Sequence, residues 1–275
     1  MSTTTTTSTR FATSADGTQI AYESIGSGPA LVVVEGALCS RKMGGFQTLK
    51  DSLAEHFTVT GYDRRGRGES GDTQPYDVQR EVEDLVAVLD AVGPDAYVFS
   101  ASSGAALALE AARQGVPMKA LACYEAPFIV DDTHAPNDVD LPERIEAFVA
   151  ADQRGAAVKT FMKVVGAPAP MVAVMQLFPV WKNLKAVAHT LAYDFRIVLP
   201  FEQAKPLPAG HYAAVGVPTL VIAGGKSPEY MRNAQAAIAE QVPGARLETL
   251  PGQTHMIKAK ATVPALLEHF RRQAS

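Results

Sequence analysis

Strand-length apolar runs alternate with helix-length amphipathic segments along most of this chain, and that alternation limits what it can fold into. LVVVE (31–35) is a continuous β-branched run, the pattern of a strand buried on both faces. GFQTLKDSLAEH (45–56) has helical spacing, FTVTGYD (57–63) reads as a strand, and VQREVEDLVAVLDAVG (78–93) is an amphipathic helix ending at a glycine. AYVFS (96–100), GAALALEAARQG (104–115) and MKALACYE (118–125) repeat strand, helix, strand. PTLVIAGG (218–225), a helix over 229–241, RLETL (246–250) and a last helix from about residue 259 complete the series. Strand alternating with helix predicts an α/β fold, a mostly parallel sheet covered on both faces. Residues 10–24 add a hairpin around the turn pair Asp16-Gly17. The pattern is interrupted once, by proline-punctuated helical stretches with almost no strand signal. The expected organisation is therefore a core of residues 1–126 and 213–275 with an inserted helical cap over 127–212.

A chain of 275 residues buries a large core without staples. Its net charge of −4 offers no global basic field for nucleic acid or anionic lipid. The arginines of YDRRGRGES make only a local patch, read as a loop whose Asp63 and glycines shape a rim. Cys39 and Cys123 lie far apart in or beside apolar runs and read as buried thiols, which suits a cytoplasmic location. The start, MSTTTTTSTR, lacks the apolar stretch of a signal peptide and reads as a frayed tail; no segment reads as membrane-spanning.

YVFSASSGAALALEAA (97–112) carries three serines at a strand-to-helix junction. A reactive serine in such a turn needs small residues two before and two after it, because the turn is sharp. Ser100-Ala101-Ser102-Ser103-Gly104 meets this with Ser102 in the centre. Ser103 also has small flanks, but the strand ends near Phe99 or Ser100, which favours Ser102. The following helix turns its free N–H groups toward the serine, Ser103 supplying one of them. A serine nucleophile needs a base, and the base an orienting acid. The six histidines form no metal-like cluster. His255, in LPGQTHMI between the last strand and the last helix, falls on the same carboxyl rim as Ser102. His189 is the cap histidine that could face a pocket. Glu125 ends an apolar strand directly on that rim, an unusual place for a charge without a partner. Glu229, at a helix start, is the alternative acid.

These residues resemble the α/β-hydrolase superfamily, in the order serine, acid, histidine. The markers are the elbow SASSG, the segment YDRRGRGESG (62–71) and GQTH, and the resemblance covers nearly the whole chain. Two departures stand out. Most members carry His-Gly after the first buried strand, where this chain has Glu35-Gly36, and most carry the acid as Asp in the loop occupied here by Ser227. Members lacking that Asp, some haloalkane dehalogenases and the zearalenone lactonases, place a Glu at the end of the sixth strand, and ACYEAP (122–127) looks like that arrangement. The chain is similar to the zearalenone lactonases in further details: an acid before the oxyanion-loop glycine, a Ser-Ser-Gly elbow and a cap Pro-Val-Trp. The last makes Trp181 a candidate substrate contact. Ser102 stands where the dehalogenases carry an aspartate nucleophile, which argues against dehalogenation.

The resemblance implies a serine hydrolase acting on an ester or lactone through Ser102, His255 and Glu125, with an oxyanion held by the N–H groups of Ser103 and of Ala37 or Gly36. Glu35 must turn away from that hole and be hydrogen-bonded or protonated, since a free carboxylate there would oppose the oxyanion. Phe128 and other apolar cap residues are candidates to line the pocket, with Trp181, Glu35 and His189. No cofactor or metal is called for. The partner expected is a small-molecule ester or lactone, not nucleic acid or membrane, with a homodimer compatible with the sequence. Carbon–carbon bond hydrolysis on the same frame and a non-catalytic small-molecule receptor are the competing readings.

Overall fold

The computed structural model describes residues 8–93 and 95–273. The threonine-rich start over 1–7, expected as a frayed tail, lies outside the described residues. Eight strands form one sheet: β1 (Arg10–Thr13), β2 (Gln19–Ile25), β3 (Ala30–Val34), β4 (Thr58–Tyr62), β5 (Tyr97–Ala101), β6 (Ala120–Tyr124), β7 (Thr219–Gly224) and β8 (Arg246–Leu250). Their spatial order is β1-β2-β4-β3-β5-β6-β7-β8. The β1–β2 hairpin and the β2–β4 pair are antiparallel, and every other pair is parallel.

The apolar runs are continuous because both faces of the central strands are covered. Val32 and Val34 of β3 join the core layer that includes Leu85, Leu107 and Leu109, while Leu31 and Val33 join the opposite layer with Phe46, Phe99 and Phe270. The covering helices are α1 (Gly45–Leu53), α2 (Val78–Val92), α3 (Ser103–Arg113), α9 (Glu229–Gln241) and α10 (Ala259–Arg271). Asp77 starts α2, its side chain accepting from the Gln79 N–H at 2.7 Å, and Gly93 closes it at φ 117.

Between β6 and β7 the described residues form no strand. They form α4 (Leu141–Ala150), α5 (Arg154–Val164), α6 (Ala169–Met175), α7 (Pro179–Ala186) and α8 (Leu191–Val198). Pro168 precedes α6 and Pro179 opens α7, positions where a missing N–H costs nothing. α8 seats this helical insert on the core by packing against α3 and α2.

The arginines of the 62–71 segment form no surface patch. Arg64, Arg65 and Arg67 are each 1% exposed or less. Arg65 forks onto Asp84 at 2.8 and 2.7 Å and reaches Asp16 of the hairpin turn at 2.9 Å. Arg64 forks onto Glu81 of α2 at 2.6 and 2.8 Å.

Candidate active site

Strand register brings the rim together. Val34 of β3 lies opposite Ser100 of β5, and Ala101 lies opposite Tyr124 of β6. The residues just past the strand ends, Glu35-Gly36, Ser102 and Glu125, therefore emerge side by side. Ser102 has φ 56 and ψ −131, a region that side chains avoid. The turn is held by the Ser102 N–H donating to the Tyr124 carbonyl at 2.9 Å. Small neighbours are required there. A Cβ on Gly36 would meet Ser102 Cβ at 2.8 Å, and one on Gly104 would meet the Glu35 carbonyl oxygen at 2.5 Å. Ser100 is buried, its hydroxyl on the Ala122 carbonyl at 3.2 Å.

Glu125 leaves its strand at φ 48 and is fully buried. Its Oε1 accepts from the Gly224 N–H at 2.6 Å, and its Oε2 lies 2.9 Å from His255 Nδ1. A carboxylate only accepts here, so Nδ1 carries a proton and Nε2 is the ring nitrogen turned away from the acid. The His255 loop is pinned by Tyr124, whose hydroxyl donates to the Thr254 carbonyl at 2.6 Å. Ser227 presents a buried hydroxyl with no hydrogen bond among the described residues, and Glu229 is exposed at the start of α9.

Ser102, Ser103, Ala37 and His255 line one cavity of about 170 Å³. The N–H groups of Gly36, Ala37 and Ser103 donate to no acceptor among the described residues. His255 Nε2 makes no hydrogen bond to Ser102; such contacts are often loose before substrate enters.

The Glu35 carboxyl points away from the serine. It accepts from the Gly45 and Phe46 N–H groups, at 2.9 and 2.6 Å, and so caps the start of α1. Burial pushes its pKa up to about 7, against the pull of those N–H groups and of Arg67 and Arg64.

Glu35, held at the start of α1, is therefore not part of the cavity wall, and the three other expected pocket residues also lie elsewhere. Trp181 packs against Gly155, because α7 stacks on α5 rather than on the wall around the serine. Phe128 is fully buried against Phe201; its neighbours Pro127 and Ile129 line the cavity, so the side chain between them turns away. His189 sits between Asp72 and Arg154, at 3.5 and 3.4 Å, and ties the insert to the 66–72 loop.

Sequence reasoning missed the buried ionic cluster beside the run that follows β3. Asp194 of α8 takes Arg64 at 2.8 Å, Arg67 at 2.7 Å and the Ser103 hydroxyl at 2.7 Å. Burial raises its pKa, but the two arginines outweigh that and hold the carboxyl below its usual range. The same arginines donate to the carbonyls of Glu35, at 3.2 Å, and Gly36, at 2.6 Å. In a trans peptide the C=O and N–H point in opposite directions, so Arg67 on the Gly36 carbonyl fixes where the Ala37 N–H points. The signal was a lone acid in the apolar segment LAYDFRIV and three arginines in a loop; one sequence does not show that they pair. Glu202, Asn137, His134 and Tyr230, which also line the cavity, carried no signal of their own.

A model of the alpha/beta hydrolase family matches residues 38–259. The chain belongs to that family. An alpha/beta hydrolase from Sphaerobacter thermophilus is 45% identical, with a TM-score of 0.86 over 95% of this chain and 100% of that one. A thermophilic esterase from Thermogutta terrifontis, 18% identical, shares the fold with a TM-score of 0.71 over 98% of this chain and 100% of that one. An uncharacterized hydrolase of Bacillus subtilis is 34% identical over 102 residues, and the match spans 34% of this chain and about a third, 35%, of that relative. Among the described residues no helix is long and apolar enough to cross a membrane, and no cluster of side chains suits a metal.

Proposed function

We propose that this α/β hydrolase cleaves a carboxylic ester or lactone through an acyl-enzyme on Ser102. The observation that carries the reading is the Glu125–His255 contact at 2.9 Å beside Ser102 in a cavity that also holds unpaired N–H groups. Ser102 Oγ attacks the carbonyl carbon as His255 Nε2 takes its proton. The oxyanion meets the N–H groups of Ser103 and Ala37, with Gly36 as the alternative donor, in a largely apolar pocket where such dipoles act strongly. His255 passes the proton to the leaving alkoxide, and Glu125 stabilises the imidazolium without taking its proton. Water, deprotonated by His255, then attacks the acyl carbon; the bond to Ser102 Oγ breaks, His255 returns the proton to Oγ, and the acid is freed.

The family relation, a structural neighbour that is an esterase, and the absence of a carboxylate in the hole support ester chemistry. The zearalenone-lactonase likeness keeps the acid on β6 and the Ser-Ser-Gly elbow, but loses the cap tryptophan as a contact, since Trp181 lies away from the cavity. The substrate class is accordingly an ester or lactone of mostly apolar body. The test is labelling with a fluorophosphonate probe. Wild type and Ser103→Ala should label, Ser102→Ala should not, and Glu125→Gln should label far more slowly. Unchanged labelling of Ser102→Ala would refute the assignment.

A further inference from the structure

The serine chemistry uses only part of the cavity. Most of the remaining wall is apolar, from Ile129, Phe161, Val164, Phe195 and Val198. Against this wall stand two carboxyls. Asp194 is already occupied by Arg64, Arg67 and Ser103. Glu202 is different. It is 5% exposed, and its Oε2 accepts from Asn137 Nδ2 at 2.8 Å. Its Oε1 accepts nothing among the described residues, and no cation pairs with it there.

The site is built rather than incidental. The Asn137 N–H donates to the Glu202 carbonyl at 3.0 Å, and Gln203 Nε2 donates to the Asn137 carbonyl at 3.3 Å. These bonds join two segments of the insert, and Asn137 Nδ2 holds the carboxyl between them. Oε1 is not sealed in the protein: it stays open to the cavity that Glu202 lines, where a ligand can supply the bond it lacks.

We propose that Glu202, held by Asn137, is a specificity subsite of this cavity that receives a hydroxyl group of the substrate remote from its scissile carbonyl. Glu202 Oε1 accepts when ionised and donates when protonated. Burial pushes its pKa up to about 7, so both forms are present near neutrality. An ammonium suits only the ionised form and an ether or ketone only the protonated form. A hydroxyl both donates and accepts, and it suits both. Sites built to hydrogen-bond a substrate hydroxyl reject the analogue that lacks it far more strongly than apolar pockets reject an added methylene.

The inference rests on the ester reading for the kind of molecule that enters, but its test does not depend on turnover. Ser102→Ala is titrated calorimetrically with methyl hexanoate, with its 3- and 6-hydroxy derivatives, and with methyl 6-methoxyhexanoate. At least one hydroxy ester should bind roughly tenfold or more tightly than methyl hexanoate, as one hydrogen bond to a charged group allows. In Ser102→Ala/Glu202→Leu that preference should fall within about twofold of unity. Should the leucine variant fail to fold, Glu202→Gln carries the test. Its amide, with the oxygen on Asn137, presents only donors, so the preference for hydroxy over methoxy should vanish. Equal binding of all the esters to Ser102→Ala, no binding of any, or a hydroxyl preference that survives both substitutions overturns the proposal. Failure of the serine chemistry would appear separately, as absent fluorophosphonate labelling.

Discussion

Ser102 and Glu125 both sit at positive φ, 56 and 48, without being glycine. Backbone strain at two neighbouring rim positions is the kind that a fold retains where the side chain must be presented. The small flanks fit Ser102 and Ser103 alike, and the strand end favoured Ser102; both are local facts of the sequence. Glu125 and His255 were legible as residues on one rim, since the fold class fixes which strand ends share an edge. Their pairing, found at 2.9 Å, was expected from the resemblance; the pinning of the His255 loop by Tyr124 on the Thr254 carbonyl was not, because one sequence does not show that contact. Glu125→Gln should lower kcat by about 10⁴ with little change in KM, since the wrong imidazole tautomer is then favoured. Steady-state kinetics of an ester substrate checks this, and a loss below tenfold would contradict it. Glu202 gives a second prediction, on stability. Its folded pKa of about 7 lies above the ordinary 4.5, so the folded protein holds more protons between those values and its stability falls as pH rises through that window. The contribution is of the order of 3 kcal/mol. Glu202→Gln should lose less Tm than wild type between pH 5 and pH 8; parallel losses would contradict it. Glu35, also raised to about 7, leaves wild-type and variant slopes in the same direction.

The element that matters most is the short run after β3. The sequence showed a strand, an odd acid and a glycine. It did not show that Glu35 caps α1 or that Arg64 and Arg67 hold the two carbonyls. Those contacts come from residues 29 and 31 positions away, and no periodicity links them. With one donor removed from the Gly36 carbonyl, the Ala37 N–H loses its fixed direction. Arg67→Ala should therefore cost about 10²-fold in kcat, the scale of a displaced oxyanion donor, with KM nearly unchanged. A rise in KM at constant kcat would contradict that role. Gly36→Ala tests the same run by sterics. The new Cβ, 2.8 Å from Ser102 Cβ, must displace the serine, so activity should fall while the fold, read by circular dichroism, persists.

At the scale of the molecule, the alternation of runs was enough to read the parallel sheet, the hairpin and the helical interruption. It could not tell which insert helix touches the core. That is α8, through Asp194 on the buried arginines and Tyr193 stacked on Tyr76 at 3.8 Å. Removing one partner of a buried ion pair typically costs about 3–5 kcal/mol. Asp194→Asn should accordingly raise amide exchange across α8 and the start of α3 while β5 and β6 stay protected. Unchanged exchange in α8 would mean that the cluster does not anchor the insert. α6, with Met171 and Val174 exposed, should exchange faster than α8 in wild type. The proposed chemistry requires that the strained serine at the end of β5 becomes acylated. Rapid-quench mass spectrometry with a p-nitrophenyl ester tests it most directly. An acyl adduct is expected on the peptide at Ser102, formed within the burst and absent in Ser102→Ala. An adduct on Ser103, or a burst that survives Ser102→Ala, would contradict it.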